Sequence, residues 1–203
     1  MMMRWEGEGQ EEDSIAGLDD RQSRLQLPKP DHSVGFSMSA FTQAQLAKLK
    51  PFLGDGRESS SYFKGVTRML FPFLTAEAQC EGEGVEEAER KNMHSIGRAL
   101  SGVVELFKLA KGENDLHRRI LGFSVSYNSS MACVHAHYSV VAKKTSTSAV
   151  KVSFHRRLIR RVMWAADNDK DRWTIYHFIL TLYRDWVLKH HELLCSAVDA
   201  LPE

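Results

Sequence analysis

The chain has 203 residues, 43% hydrophobic and 26% charged, with a net charge of +1. That is an ordinary globular balance, long enough to bury one core without a second domain. No apolar run approaches the roughly 20 residues of a membrane span, and MMMRWEGEGQEEDS lacks the apolar stretch of a signal peptide, so an intracellular protein, nuclear or cytoplasmic, with no membrane partner is expected. Three widely spaced cysteines, Cys80, Cys133 and Cys195, form neither a metal-spacing pair nor a disulfide framework, which agrees with a reducing compartment.

Residues 1–28 carry seven acids and three bases and almost no apolar periodicity, and a disordered acidic tail is expected there. The remaining 19 acids and 24 bases make residues 29–203 mildly basic, a balance that suits an anionic partner but does not require one. In LPKPDHSVGFSM, two prolines hold the approach extended, and Val34 and Phe36 alternate with Ser33, Gly35 and Ser37 as in a short strand, with Asp31 at its start. Thr42 is placed to cap a short helix carrying Leu46 and Leu49, ended by Pro51. GDGRESSSYF reads as a flexible loop.

The run from Met69 to Ala78 is the best buried-strand candidate, with Pro72 predicting an edge or a bulge near its start. In a strand, Glu77 and Gln79 point to one face. After EGEG comes the longest amphipathic helix. Its inward stripe runs through Ala88, Ile96, Ala99, Leu100, Val103, Phe107 and Ala110, and Asn92 interrupts it. ILGFSVSYN and MACVHAHYSVVA predict an antiparallel hairpin around Asn128-Ser129-Ser130, and AVKVSF a further strand. From about Asp169 to Ala200 the spacing predicts helix, with Trp173, Tyr176, Ile179, Leu180, Tyr183 and Val187 on one apolar face, continued by Leu193, Leu194, Ala197 and Val198. His190 and His191 read as a helix end. This order of strands, long helix, strands and terminal helices implies an α/β fold, a mixed sheet with helices packed against it.

Two carboxylates, Asp31 near one strand and Glu77 on another, are the first candidate site. Brought together, they would offer Mg²⁺ the hard oxygen ligands it takes, and such an ion activates water for phosphoester hydrolysis. Set against this, Asp31 can cap a turn and Glu77 can make a salt bridge. His135 and His137, two apart on a strand, have no third ligand at an interpretable spacing and read as paired surface or half-buried histidines. His94 on the long helix lies close to the same region. In FHRRLIRR, Arg156, Arg157, Arg160 and Arg161 would share a face if the segment were helical and could hold phosphates; a solvated connector paired with Asp167, Asp169 and Asp171 is the competing reading.

LPKPDHSVGFS, AFTQAQLAKLKPF, FPFLTAEAQC, AERKNMHSIGRALSGVVELFKL, ILGFSVSY and a tryptophan-rich closing helix before CSAVDALP together resemble a family of fungal proteins similar to the PD-(D/E)XK nuclease superfamily. The resemblance spans residues 29–203 as one domain and implies a restriction-endonuclease-like fold: a mixed central sheet flanked by helices, with a helical C-terminal region. It implies Pro30-Asp31 as the PD element and Glu77-Ala78-Gln79 as the (D/E)-X-K element, with Mg²⁺ or Mn²⁺ held by Asp31 and Glu77 and DNA or RNA as substrate. The chain departs from that pattern at Gln79, which has no charge to give. Lys91 stands where the family would carry glutamine, so lysine and glutamine look exchanged. Two expectations follow: a nuclease with Asp31, Glu77, Gln79 and Lys91 at its site and the four arginines on nucleic acid, or a silent member that binds nucleic acid or protein.

Overall fold

The computed structural model describes residues 13–15, 29–53, 69–80, 84–142, 152–164, 171 and 173–202. Apart from Asp13–Ile15, the expected acidic tail lies outside the described residues, as do the whole GDGRESSSYF loop, Asp167 and Asp169. Those three residues form a short strand, β1. It is followed by β2 (His32–Ser37), α1 (Gln43–Leu49), β3 (Met69–Ala78), α2 (Val85–Leu109), β4 (Ile120–Tyr127), β5 (Met131–Val141) and β6 (Val152–Met163). A continuous C-terminal helix closes the chain as α3 (Thr174–Thr181), a π-helical segment (Leu182–Val187) and α4 (Leu188–Asp199).

The strands form one mixed sheet in the order β1-β6-β5-β4-β3-β2, as the α/β expectation required. Five long strands carry it, and β1 adds a three-residue edge with Asp13 opposite Arg156. The β3–β4 pair is parallel and all others are antiparallel. A parallel neighbour needs a crossover, and α2 supplies it.

Pro72 has the effect its ring predicts, as a bulge inside the sheet. Val34 faces Leu74 while Phe36 faces Leu70, so β3 spends extra residues there, and Phe71 takes a positive φ of 46°. The bulge is not at an edge, since β3 lies between β2 and β4. Thr42 caps α1 in a reciprocal capping box with Gln45. Gln45 then donates to Asp199 Oδ1 (3.0 Å) and Lys48 to the Asp199 carbonyl (2.7 Å), tying α1 to the end of the C-terminal helix. Asn128 Oδ1 accepts from the backbone N–H groups of Ser130 and Met131, both at 2.9 Å, which closes the expected β4–β5 hairpin.

The two faces of the sheet differ in chemistry. Phe123 meets Phe178 and Trp186 of the C-terminal helix, ring centroids 5.6 and 5.0 Å apart, on an apolar aromatic face. The alternate residues Gly122, Ser124 and Ser126 face α2. A side chain at Gly122 would meet the Phe73 carbonyl at 3.0 Å and Ile96 Cδ1 at 3.1 Å, so only glycine lets α2 pack this closely. The stripe from Ala88 through Phe107 is buried as expected, Asn92 included.

Three expectations are corrected. The arginine-rich segment is strand, because β6 runs to Met163 without a break. The C-terminal helix is rotated from its expected face: Ile179 and Val187 pack against the core, but Trp173, Tyr176, Leu180 and Tyr183 are exposed. His190 and His191 lie inside α4, where His190 is buried and stacked on Trp186 at 4.3 Å.

Candidate active site at the end of strand β3

Strand pairing brings the two carboxylates together. His32 pairs with Ala76, so one step further along the same ladder Asp31 stands opposite Glu77. Asp31 Oδ2 accepts a hydrogen bond from the Ala78 N–H at 2.8 Å, which fixes its side chain beside the strand end. Asp31 is exposed, whereas Glu77 is only 5% exposed. Burial raises the Glu77 pKa above the ordinary glutamate value, and the Asp31 charge adds to the rise. The Lys91 ammonium and a hydrogen bond from the Asp31 backbone N–H pull it the other way. The first turns of α2 therefore bring Lys91 within electrostatic reach of Glu77, with its side chain exposed to solvent.

Gln79 follows the last residue of β3. It is half-buried, and its N–H donates to the Tyr127 carbonyl at 2.9 Å, extending the β3–β4 ladder. Asn92, next to Lys91, is fully buried, and its Nδ2 donates to the Val125 carbonyl (2.9 Å) and to Ser126 Oγ (2.8 Å). Ser126 is the cross-strand partner of Glu77. Asn92 thus fastens the start of α2 to the strand beside the carboxylates.

From Glu77 a polar row crosses the α2 side of the sheet. Glu77 pairs with Ser126, Ser126 with Cys133, and Cys133 with Arg161. Cys133 is buried; burial pushes its thiol pKa up, against the Arg161 guanidinium that hydrogen-bonds its sulfur. Glu89 of α2 lies over the next positions, 3.5 Å from Arg156 and 4.0 Å from His135 Nε2. His135 and His137 are more deeply placed than a surface pair. His137 Nε2 lies 2.8 Å from Ser124 Oγ, and burial lowers its pKa to about 3, so it is neutral. His94, by contrast, is exposed on α2.

The four arginines do not form one patch. Arg156 and Arg161 pair with His137 and Cys133 and so face α2, while Arg157 and Arg160 pair with Ala136 and Val134 and face the other side. Arg160 lies 3.5 Å from Asp171, the one expected connector acid within the described residues. Among the described residues no group of three or more His, Cys, Asp or Glu is placed to hold a metal. Two adjoining carboxylates, Asp31 exposed and Glu77 buried, do suit Mg²⁺ or Mn²⁺, which keep several waters and take one or two protein carboxylates. The Asn92–Ser126 bond and the Glu89 cluster escaped the sequence reading. Their trace was the alternation of Ser124 and Ser126 with Cys133, His135 and His137 on adjacent strands, polar at every second position.

Residues 8–198 match one protein family, described as a domain of unknown function, DUF7924, and the chain belongs to it. No curated protein and no solved structure matches the chain. No helix among the described residues is long and apolar enough to cross a membrane.

Proposed function

We infer that this DUF7924 chain is a metal-dependent nuclease of PD-(D/E)XK type that hydrolyses phosphodiesters in DNA or RNA. The observation that carries the reading is the convergence of Asp31 and Glu77 at one strand end, with Lys91 in electrostatic reach. Asp31 and Glu77 would hold Mg²⁺ or Mn²⁺, and the ion would supply an activated water and charge neutralisation at the phosphate. A raised Glu77 pKa without metal fits a site that waits for a cation to relieve carboxylate repulsion. Lys91 stabilises the negative charge that builds on the phosphate oxygens as water attacks phosphorus and the P–O bond to the leaving oxygen breaks. Gln79 holds the water or a phosphate oxygen by hydrogen bonds, because its amide can donate and accept but cannot carry charge. Arg156 and Arg161 on the α2 side, and Arg157 and Arg160 on the other, serve as backbone-phosphate contacts.

A second reading rests on a specific feature: the position of the motif lysine is the uncharged Gln79, and Lys91 is exposed to solvent. On that reading the fold is kept without catalysis, and the protein binds nucleic acid or another protein. Cleavage of single- and double-stranded DNA and RNA with Mg²⁺ or Mn²⁺ separates the two, comparing wild type with Asp31→Ala and Glu77→Ala. Metal-dependent cleavage lost in both variants supports the nuclease. Equal cleavage by all three marks a contaminant, and absence of cleavage under every condition moves the assignment to the binding module.

A further inference from the structure

The C-terminal helix carries an apolar stripe that the described residues leave about half exposed. Trp173 is 58% exposed, Tyr176 54%, Leu180 48%, Tyr183 45% and Leu188 64%. The opposite side of the same helix packs on the core through Phe178, Leu182, Trp186 and Leu194. In an uninterrupted α-helix Val187, seven residues after Leu180, would continue the stripe. The π-helical turn Leu182–Val187 takes one residue more, so Val187 packs inward and Leu188 takes the outer place. The irregular turn keeps both faces in register, the buried one and the exposed one.

We propose that this stripe is a homodimer interface, in which two copies of the C-terminal helix pack antiparallel about a twofold axis near Leu180. A twofold contact demands a surface that is complementary to itself. The stripe meets that demand: Tyr176 and Arg184 stand four residues either side of Leu180, and Trp173 and Leu188 stand seven before and eight after. The eighth residue is absorbed by the shorter rise of the π turn. Antiparallel pairing sets Leu180 on Leu180, Leu188 against Trp173 of the second copy, and the exposed Arg184 guanidinium, held edge-on by Asp185 at 2.7 and 2.8 Å, with its face over the Tyr176 ring of that copy, a cation–π contact. The five apolar side chains leave on the order of 500 Å² uncovered per copy, so a pair buries about 1,000 Å² before flanking residues are counted, the threshold of a specific interface. A patch of that size, about 500 Å², matches the largest apolar patch of a typical monomer, which is often a functional contact surface. The stripe and the Asp31–Glu77 site lie on opposite faces of the sheet, so dimerisation leaves both sites open.

Sedimentation velocity on the full chain over a wide concentration range tests this. Wild type is expected as a dimer, and Leu180→Asp is expected to weaken dimerisation by at least about 30-fold with an unchanged circular dichroism spectrum. A cysteine on a twofold axis meets its own copy. Leu180→Cys in a Cys80→Ser background should therefore give a disulfide-linked dimer on mild oxidation, while Leu109→Cys, exposed on α2, should not. A wild type that is monomeric throughout, a dimer that Leu180→Asp leaves intact, or a Leu180→Cys protein that does not cross-link each overturns the proposal.

Discussion

Asn92→Ala is the perturbation whose consequence can be worked most directly from the structure. Asn92 is fully buried on the sheet-facing side of α2, and its amide donates two hydrogen bonds, to the Val125 carbonyl and Ser126 Oγ. Alanine removes both donors and leaves two buried acceptors in a place that water reaches poorly. An unsatisfied buried group costs about 1–3 kcal/mol. Ser126 can turn its hydroxyl toward another partner, which trims the sum, and the small cavity left by the amide adds to it. A loss of roughly 2–4 kcal/mol follows, a large part of a typical stability of about 5–15 kcal/mol. For a chain of this size that lowers Tm by about 4–16 °C. Urea titration and calorimetry of wild type, Asn92→Ala, Ser126→Ala and the double variant give the coupling between the two side chains, expected at about 1 kcal/mol or more. A single-variant change within about 0.5 kcal/mol, or a coupling near zero, refutes the claim that this bond anchors α2 to β4.

Three further outcomes are expected. Glu77 has a raised folded-state pKa, so it binds its proton more tightly folded than unfolded; its contribution to stability is present at low pH and lost as pH rises through the folded value. Glu77→Gln should therefore raise Tm at pH 7 and converge with wild type near pH 4, and Mg²⁺ should stabilise wild type only; equal Tm at both pH values would contradict this. His190, buried against Trp186, has its pKa lowered to about 3, so its contribution is complete above the unfolded pKa of about 6.5 and falls away as pH drops toward 3. His190→Phe should flatten the decline of Tm below pH 6, and an unchanged slope would count against a buried neutral imidazole. Gly122→Ala sets a methyl 3.0 Å from the Phe73 carbonyl and 3.1 Å from Ile96, and chemical denaturation should show about 1–3 kcal/mol of overpacking; a neutral result would show that α2 can withdraw freely.

The elements that the sequence announces are those governed by local pattern. β3 follows from an apolar run, α2 from three-four spacing, and the hairpin from an asparagine turn, and each is found within a residue or two of its expected place. What the sequence hides is set by neighbours. β6 contains Arg156, Arg157, Arg160 and Arg161, which suit a helix surface or a loop equally well; only an eleven-pair ladder with β5 makes the segment a strand. The buried side of the C-terminal helix escapes a 3.6-residue template because apolar residues line both sides of it before Leu182, and the π turn then shifts the phase so that Val187 packs inward. Asp31 and Glu77 are 46 positions apart in sequence, and composition cannot say that they meet; the register of β2 on β3 does. Asn92 read as a blemish in an apolar stripe and is instead the side chain that holds the stripe's first turns in place.

The last question is whether the lysine of the site has moved from strand to helix. Gln79 lies two residues after Glu77, where a lysine of the E-x-K pattern would be, while Lys91 comes from the facing helix and offsets part of the rise that burial and Asp31 impose on the Glu77 pKa. A charge acts by its position relative to the developing phosphate charge, whichever element carries it. If Lys91 serves the reaction, Lys91→Ala should cut metal-dependent cleavage by about 10²–10³-fold while leaving Tm close to wild type, since an exposed lysine contributes little to folding. Adding Gln79→Lys to that variant should return at least about tenfold of the activity, because the ammonium re-enters from the strand side. Gln79 is half-buried, so a lysine there can lay its methylenes on the strand end and direct its head toward Glu77 and solvent. Single-turnover cleavage at saturating Mg²⁺ separates the chemical step from binding. Full activity in Lys91→Ala refutes the exchange outright, and loss without recovery in the double variant would confine Lys91 to binding substrate.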